Sequence, residues 1–117
     1  MSQTKVIQEI IEEEGTSFIS TYFEMKNASL IFISENEGQL GTLAIAIPQT
    51  KKIVGPPLSS ILLGDRNVMI ARLLAEHLSQ KMNKIALVSI FIKTVNEKEA
   101  GPILMRLLQK TLKKKGD

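Results

Sequence analysis

His77 is the only histidine in the 117 residues, and cysteine is absent. Two imidazoles from one chain therefore cannot hold a metal, and thiolate ligands, disulfides and cysteine nucleophiles are excluded together. His77 follows Glu76 in a segment of helical periodicity, where a surface or partner-facing role outweighs general-base chemistry. Ser59 and Ser60 lack the G-x-S-x-G setting that strains a serine into a nucleophile. Neither G-x-G-x-x-G nor G-x-x-x-x-G-K-[ST] occurs, so no phosphate cradle is written into the chain. Glu12, Glu13 and Glu14 are consecutive and cannot all face one pocket; a solvated strand end explains them better. Catalysis needs convergent polar groups, and the sequence assembles none. The expectation is a protein with no catalytic residues, no metal and no cofactor.

Charge points the same way. The 15 Lys and Arg outnumber the 12 Asp and Glu, but the surplus is unevenly spread. Glu9, Glu12, Glu13 and Glu14 make the front acidic; Lys110, Lys113, Lys114 and Lys115 make the tail basic. Lysines in a last helical turn complement the helix dipole, which is sufficient reason for the tail cluster. Phe18, Tyr22, Phe23, Phe32 and Phe91 are the only aromatics, and none interleaves with a basic run. A stacking platform for single-stranded nucleic acid is not expected.

The elements that must position any binding surface follow from periodicity. Residues are 44% hydrophobic and 23% charged, an ordinary globular composition for one core over 1–117. No apolar run approaches the ~20 residues of a membrane helix. The opening MSQTKVIQEIIEEE has no apolar h-region, which argues against a secretory signal. Without cysteine, a reducing, cytoplasmic setting is expected.

Residues 3–13 fit a helical stripe through Val6, Ile7, Ile10 and Ile11, and also an alternating strand. Glu14-Gly15 leaves room only for a hairpin turn before the next strand, so we read a strand there, with a helix as the alternative. Thr16–Met25 and Leu30–Ser34 form a hairpin around Lys26-Asn27. Gln39–Ile47 reads as a further strand. Leu43, Ile45 and Ile47 share one face of it; Thr42, Ala44 and Ala46 share the other, where small side chains invite close packing. Pro48–Leu58 is a loop, because three prolines cannot donate to a ladder. Ser60–Leu63 is a short strand, Gly64 breaks it, and Asp65 is placed to cap a helix from Arg66 to Met82 that Asn83 stops. Lys84–Ile92 is apolar on both faces and reads as a central strand covered twice. Asn96 caps a last helix whose regular part Gly101-Pro102 delays; its stripe is Ile103, Leu104, Leu107, Leu108 and Leu112. The order β-β-β-β-β-α-β-α defines an α+β domain of about six mainly antiparallel strands with two helices.

Surplus apolar surface is the informative feature. On the helix through residues 66–82, Ile70, Ala71, Leu74, Leu78 and Met82 form the core arc, while Met69 and Leu73 fall outside it. A stacked pair at i and i+4 suggests a dimer or partner contact, the alternative being cover by the last helix. Two helices cover only one side of a sheet, so a second subunit is expected on the other. Gln49, Thr50, Lys51 and Lys52, at the tip of the long loop, are candidate partner contacts.

Gln39-Leu40-Gly41-Thr42-Leu43, then Ser60-Ile61-Leu62-Leu63-Gly64-Asp65, then a helix ending Gln80-Lys81-Met82-Asn83-Lys84 before Ile85-Ala86-Leu87-Val88-Ser89, resembles the small proteasome-assembly chaperones. The strand with Gly41 is similar to the third member of the eukaryotic set; the turn Leu63-Gly64-Asp65, with its helix and apolar strand, is similar to the fourth. The similarity spans residues 16–112. It implies a dimer that binds α-type subunits of the 20S proteasome and assists α-ring assembly, without catalysis, cofactor, nucleic acid or membrane. Traits of both members in one chain imply an undivided, homodimeric relative, such as an archaeal one, or a heterodimer with a related chaperone. The resemblance marks Gly41, Leu63, Gly64 and Asp65 as a structural motif. Two other readings remain: a small dimeric adaptor, such as a roadblock-like regulator of GTPases, which an N-terminal helix would favour; and a small enzyme or ligand-binding protein with its pocket under the 48–58 loop.

Overall fold

The computed structural model describes residues 5–49 and 58–116. Alternating β-branched and aromatic residues form three strands in succession: β1 (Lys5–Glu13), β2 (Thr16–Glu24) and β3 (Ala28–Glu35). Glu14 and Gly15, both at positive φ, turn β1 into β2. β4 (Thr42–Ile47) and β5 (Leu58–Leu63) follow, then α1 (Val68–Met82), β6 (Ile85–Phe91) and α2 (Glu97–Lys114). One six-stranded sheet results, in the order β1-β2-β3-β6-β4-β5. Every neighbouring pair is antiparallel except β3 and β6. The α+β class and the element order are those the sequence implies.

Register explains which residues form the core. The row Ile7, Tyr22, Ile31, Val88, Ala44, Ile61 crosses all six strands on the side that carries the helices. Its four inner members are fully buried. Ala44 and Ala46 are the small residues over which α1 packs, as their alternation with Leu43 and Ile45 implies. Along α1 the buried arc is Ile70, Ala71, Leu74, Ala75, Leu78 and Ser79; along α2 it is Ala100, Leu104, Leu107, Leu108, Thr111 and Leu112. Ser20 and Thr111, both buried, satisfy each other through hydroxyls 2.6 Å apart and join α2 to β2.

Several boundaries differ from the periodicity, each for a local reason. Residues 5–13 are strand, because they pair with β2 along their whole length. Gln39, Leu40 and Gly41 precede β4 rather than belonging to it. The Gly41 N–H turns to Ser89 Oγ at 2.9 Å instead of joining a ladder. The expected cap Asp65 is exposed and caps nothing: α1 begins after Asn67, which adopts a left-handed conformation (φ 61°) and makes no side-chain cap bond. Glu97 of α2 caps α1 instead, its carboxylate accepting from the Ile70 N–H at 2.7 Å. Asn83 ends α1 at φ 54°, as expected. The Asn96 side chain caps α2, which is regular from Glu97 onward and carries Pro102 on its exposed side. β6 is central, and within one chain it is covered on one face only, the other being the face on which a second subunit is expected. Both helices lie on one face, and Ile85, Leu87 and Phe91 remain partly accessible on the other.

Candidate partner-binding surfaces

The uncovered face of the sheet carries an apolar row from β1 to β4, with Gln8, Thr21 and Ser89 among the residues of the row beside it. Val6, Phe23, Leu30, Leu87 and Ile45 lie side by side on five consecutive strands, ending at Ser60 on β5. The next row adds Phe32 and Leu43, and the row beyond it Ile10, Ile19 and Phe91. Phe23 and Phe32 meet edge to face with centroids 5.9 Å apart. Beside them the 38–40 turn encloses a shallow apolar depression of about 350 Å³ lined by Thr21, Phe23, Phe32, Gly38, Gln39 and Leu40. Monomeric proteins rarely leave a contiguous patch of this kind in water.

The two edges of the sheet are treated differently. Along β1, Lys110 and Lys114 donate from Nζ to the carbonyls of Ile10 and Gln8 at 3.4 and 3.2 Å. Those ammoniums also pair with Glu9 at 3.6 and 3.4 Å. Charge on an edge strand discourages further pairing. β5, Leu58–Leu63, has no charged residue; Arg72 and Glu76 of α1 both bond Ser59 Oγ above it.

Met69 and Leu73 project from α1 away from the sheet, 67% and 52% exposed. With Val68, Arg72 and Glu76 they line a groove of about 280 Å³. α2 does not cover them. Their exposure is the one the helical pattern implies.

The motif residues are held by backbone sterics. A Cβ at Gly41 would lie 2.0 Å from the Ile90 carbonyl oxygen, so only glycine lets the chain pass β6 there. Gly64 stands at φ 95°, and a Cβ on it would lie 2.6 Å from Thr42 Oγ1. That hydroxyl in turn donates to the Arg66 carbonyl. Leu63 pairs with Leu43 across the β4–β5 ladder and is about half exposed. Nearby, buried Glu35 accepts from the Thr94 amide at 2.8 Å and from its hydroxyl. Burial raises its pKa, but these donors, the Lys93 amide and the Arg66 charge prevail, and the carboxyl sits below its ordinary range.

Most of the basic tail is spent inside the fold. Arg106 pairs with Glu13 at 2.9 Å, Lys110 and Lys114 with Glu9, and Lys115 with Glu24 at 3.0 Å. Lys84 reaches Glu24 from the other side at 2.8 Å. Burial raises the Glu24 pKa, yet hydrogen bonds and charge from the two lysines lower it further, from 4.5 to about 2. The acidic front and basic tail of the sequence are thus largely one set of contacts between β1, β2 and α2. Some hundred residues lie between them in the chain, so local periodicity carries no sign of the pairing.

Of the candidate loop contacts, Gln49 is half buried and partnered, while Thr50, Lys51 and Lys52 lie outside the described residues. Among the described residues no group of histidine, cysteine and carboxylates could hold a metal, and no helix is long and apolar enough to cross a membrane. His77 lies exposed on α1.

An α+β sheet with helices on one side and an apolar face on the other defines a domain built for association. The model of the family described as proteasome assembly chaperone 4 matches residues 18–92, and the chain belongs to that family. Its fold is similar to a chain in the crystal structure of a novel chaperone complex for yeast 20S proteasome assembly. The TM-score is 0.68 at 16% identity, over 94% of this chain and 93% of that one. No curated protein matches the chain.

Proposed function

We propose that this protein is a non-catalytic, cytoplasmic chaperone, a single domain over 1–117, that binds α-type subunits of the 20S proteasome and assists α-ring assembly as a dimer. Membership of the assembly-chaperone family supports the client class. The observation that carries the dimer is the row Val6, Phe23, Leu30, Leu87, Ile45, apolar across five strands and left bare by both helices. A second copy, or a related chaperone with a matching face, removes it from water. Two sheets packed face to face about 10 Å apart form a core of the kind found in sandwiches. The relative of similar fold comes from a chaperone complex for yeast 20S assembly, which agrees with this reading. A strand at Lys5–Glu13 speaks against a roadblock-like adaptor. The lowered carboxylates Glu24 and Glu35 are both engaged in structural bonds, and most of the 48–58 loop, under which the enzyme reading placed its pocket, lies outside the described residues.

Light scattering at tens of micromolar tests the dimer. The expected mass is twice the chain's 13.0 kDa. Phe32→Glu, which sets a charge into the centre of the face, should give a folded monomer, because a buried unpaired charge costs several kcal/mol (order of magnitude). A monomeric parent, or a Phe32→Glu variant that remains dimeric, would contradict the proposal.

A further inference from the structure

The tail lysines leave one of their number over. Arg106, Lys110, Lys114 and Lys115 each pair with an acid of β1 or β2. Lys113 does not: it points with Lys81 and His77 into a groove of about 310 Å³ between α1 and α2, completed by Gln109 and Leu112. No carboxylate lines this groove, and among the described residues neither Lys81 nor Lys113 has an acidic partner.

Both lysines stand in the last turns of their helices, so the helix dipoles account for part of this charge. A helix C-terminus carries about half a negative charge. Two such ends offset about one of the two ammonium charges, and the other stays uncompensated. Leu112, buried at 2% exposure, supplies an apolar floor, and the Gln109 amide offers both a donor and an acceptor at the rim.

We propose that this groove docks an acidic segment of a partner protein, its carboxylates on Lys81 and Lys113. Charge complementarity selects the occupant. No aromatic residue lines the groove to stack a base, and two ammoniums are too few to track a nucleic-acid backbone. The groove opens on the helical side, so it stays accessible when a second subunit covers the bare sheet face. The inference goes beyond the proposed function, because it stands whichever protein supplies the segment.

The test uses a fluorescein-labelled eight-residue peptide of alternating glutamate and leucine, titrated with the full chain and followed by anisotropy at low and high salt. The same peptide with glutamine for glutamate is the control. The acidic peptide should bind, weaken with salt, and lose at least tenfold in affinity to the double variant Lys81→Glu, Lys113→Glu. Lys98→Glu, an exposed lysine of α2 outside the groove, should bind like the parent. Thermal melting confirms that the exposed substitutions leave the fold intact; Lys81→Gln, Lys113→Gln serves if they do not. Absence of binding at millimolar protein, equal binding of the glutamine peptide, or unchanged affinity in the double variant would overturn the proposal. So would an oligouridylate of equal charge that binds more tightly and is lost in the same variant.

Discussion

Glu24→Gln removes the charge that ties three parts of the molecule together. Glu24 closes β2 and is held by Lys84, just before β6, and by Lys115, just beyond α2. Its pKa falls from 4.5 to about 2, which by linkage corresponds to about 3 kcal/mol. The sign follows from the direction. A carboxyl whose folded pKa is depressed adds stability above its unfolded pKa, and that stability disappears as the pH drops through 4.5 toward 2. Lys84 and Glu24 retain about a fifth of their exposure, so solvent screening reduces the figure, and glutamine keeps one acceptor oxygen. A loss of about 2 kcal/mol at pH 7 is expected, or roughly 10 °C in Tm for a domain of this size. The assay is thermal denaturation of parent and variant between pH 7 and pH 2.5. The gap between them should shrink steadily below pH 4.5 as the parent carboxyl protonates. A gap of the same size at pH 7 and pH 2.5 would show that the variant loses packing rather than charge. No gap at pH 7 would show that the two lysines contribute nothing.

Further outcomes follow from named contacts. Gly41→Ala should destabilise by at least about 3 kcal/mol or prevent folding, because its Cβ would strike the Ile90 carbonyl at 2.0 Å; denaturant melts check this. Asp65→Ala should change stability by less than about 0.5 kcal/mol, since Asp65 caps nothing, whereas Glu97→Ala should cost about 1 kcal/mol through the lost bond to Ile70. Leu73→Glu should stay folded with an unchanged Tm, its side chain lying half in water on α1. Lys110→Ala with Lys114→Ala should leave the β1 edge without its ammonium cover, and turbidity on heating should rise above the parent's.

What was legible in the sequence was whatever depends on near neighbours. The alternation of Leu43 and Ile45 with Ala44 and Ala46 marked the face under α1. Helical spacing marked Met69 and Leu73 as outward. Asn83 and Asn96 marked their helix ends. What escaped depends on groups far apart in the chain. Glu97 reaches the start of α1 across 27 residues, beyond the range of a local cap pattern that points to Asp65. The tail lysines answer a helix dipole in the sequence alone, and their pairing with Glu9 and Glu24 arises only from the packing of α2 against β1 and β2. The apolar residues of β6 fit a strand covered twice within one chain as well as one whose second face a partner covers. Only the placement of both helices decides between these.

The proposed role, holding α-type proteasome subunits while they assemble, is open to a direct binding experiment. Native mass spectrometry of the purified protein mixed with purified α-type subunits measures this most directly. The expected result is a complex in which two copies of the chaperone, or one copy with a related chaperone, carry an α-type subunit. With the chaperone present, α-rings should also accumulate faster. An unchanged spectrum of free components at tens of micromolar, with ring formation at the same rate, would contradict it.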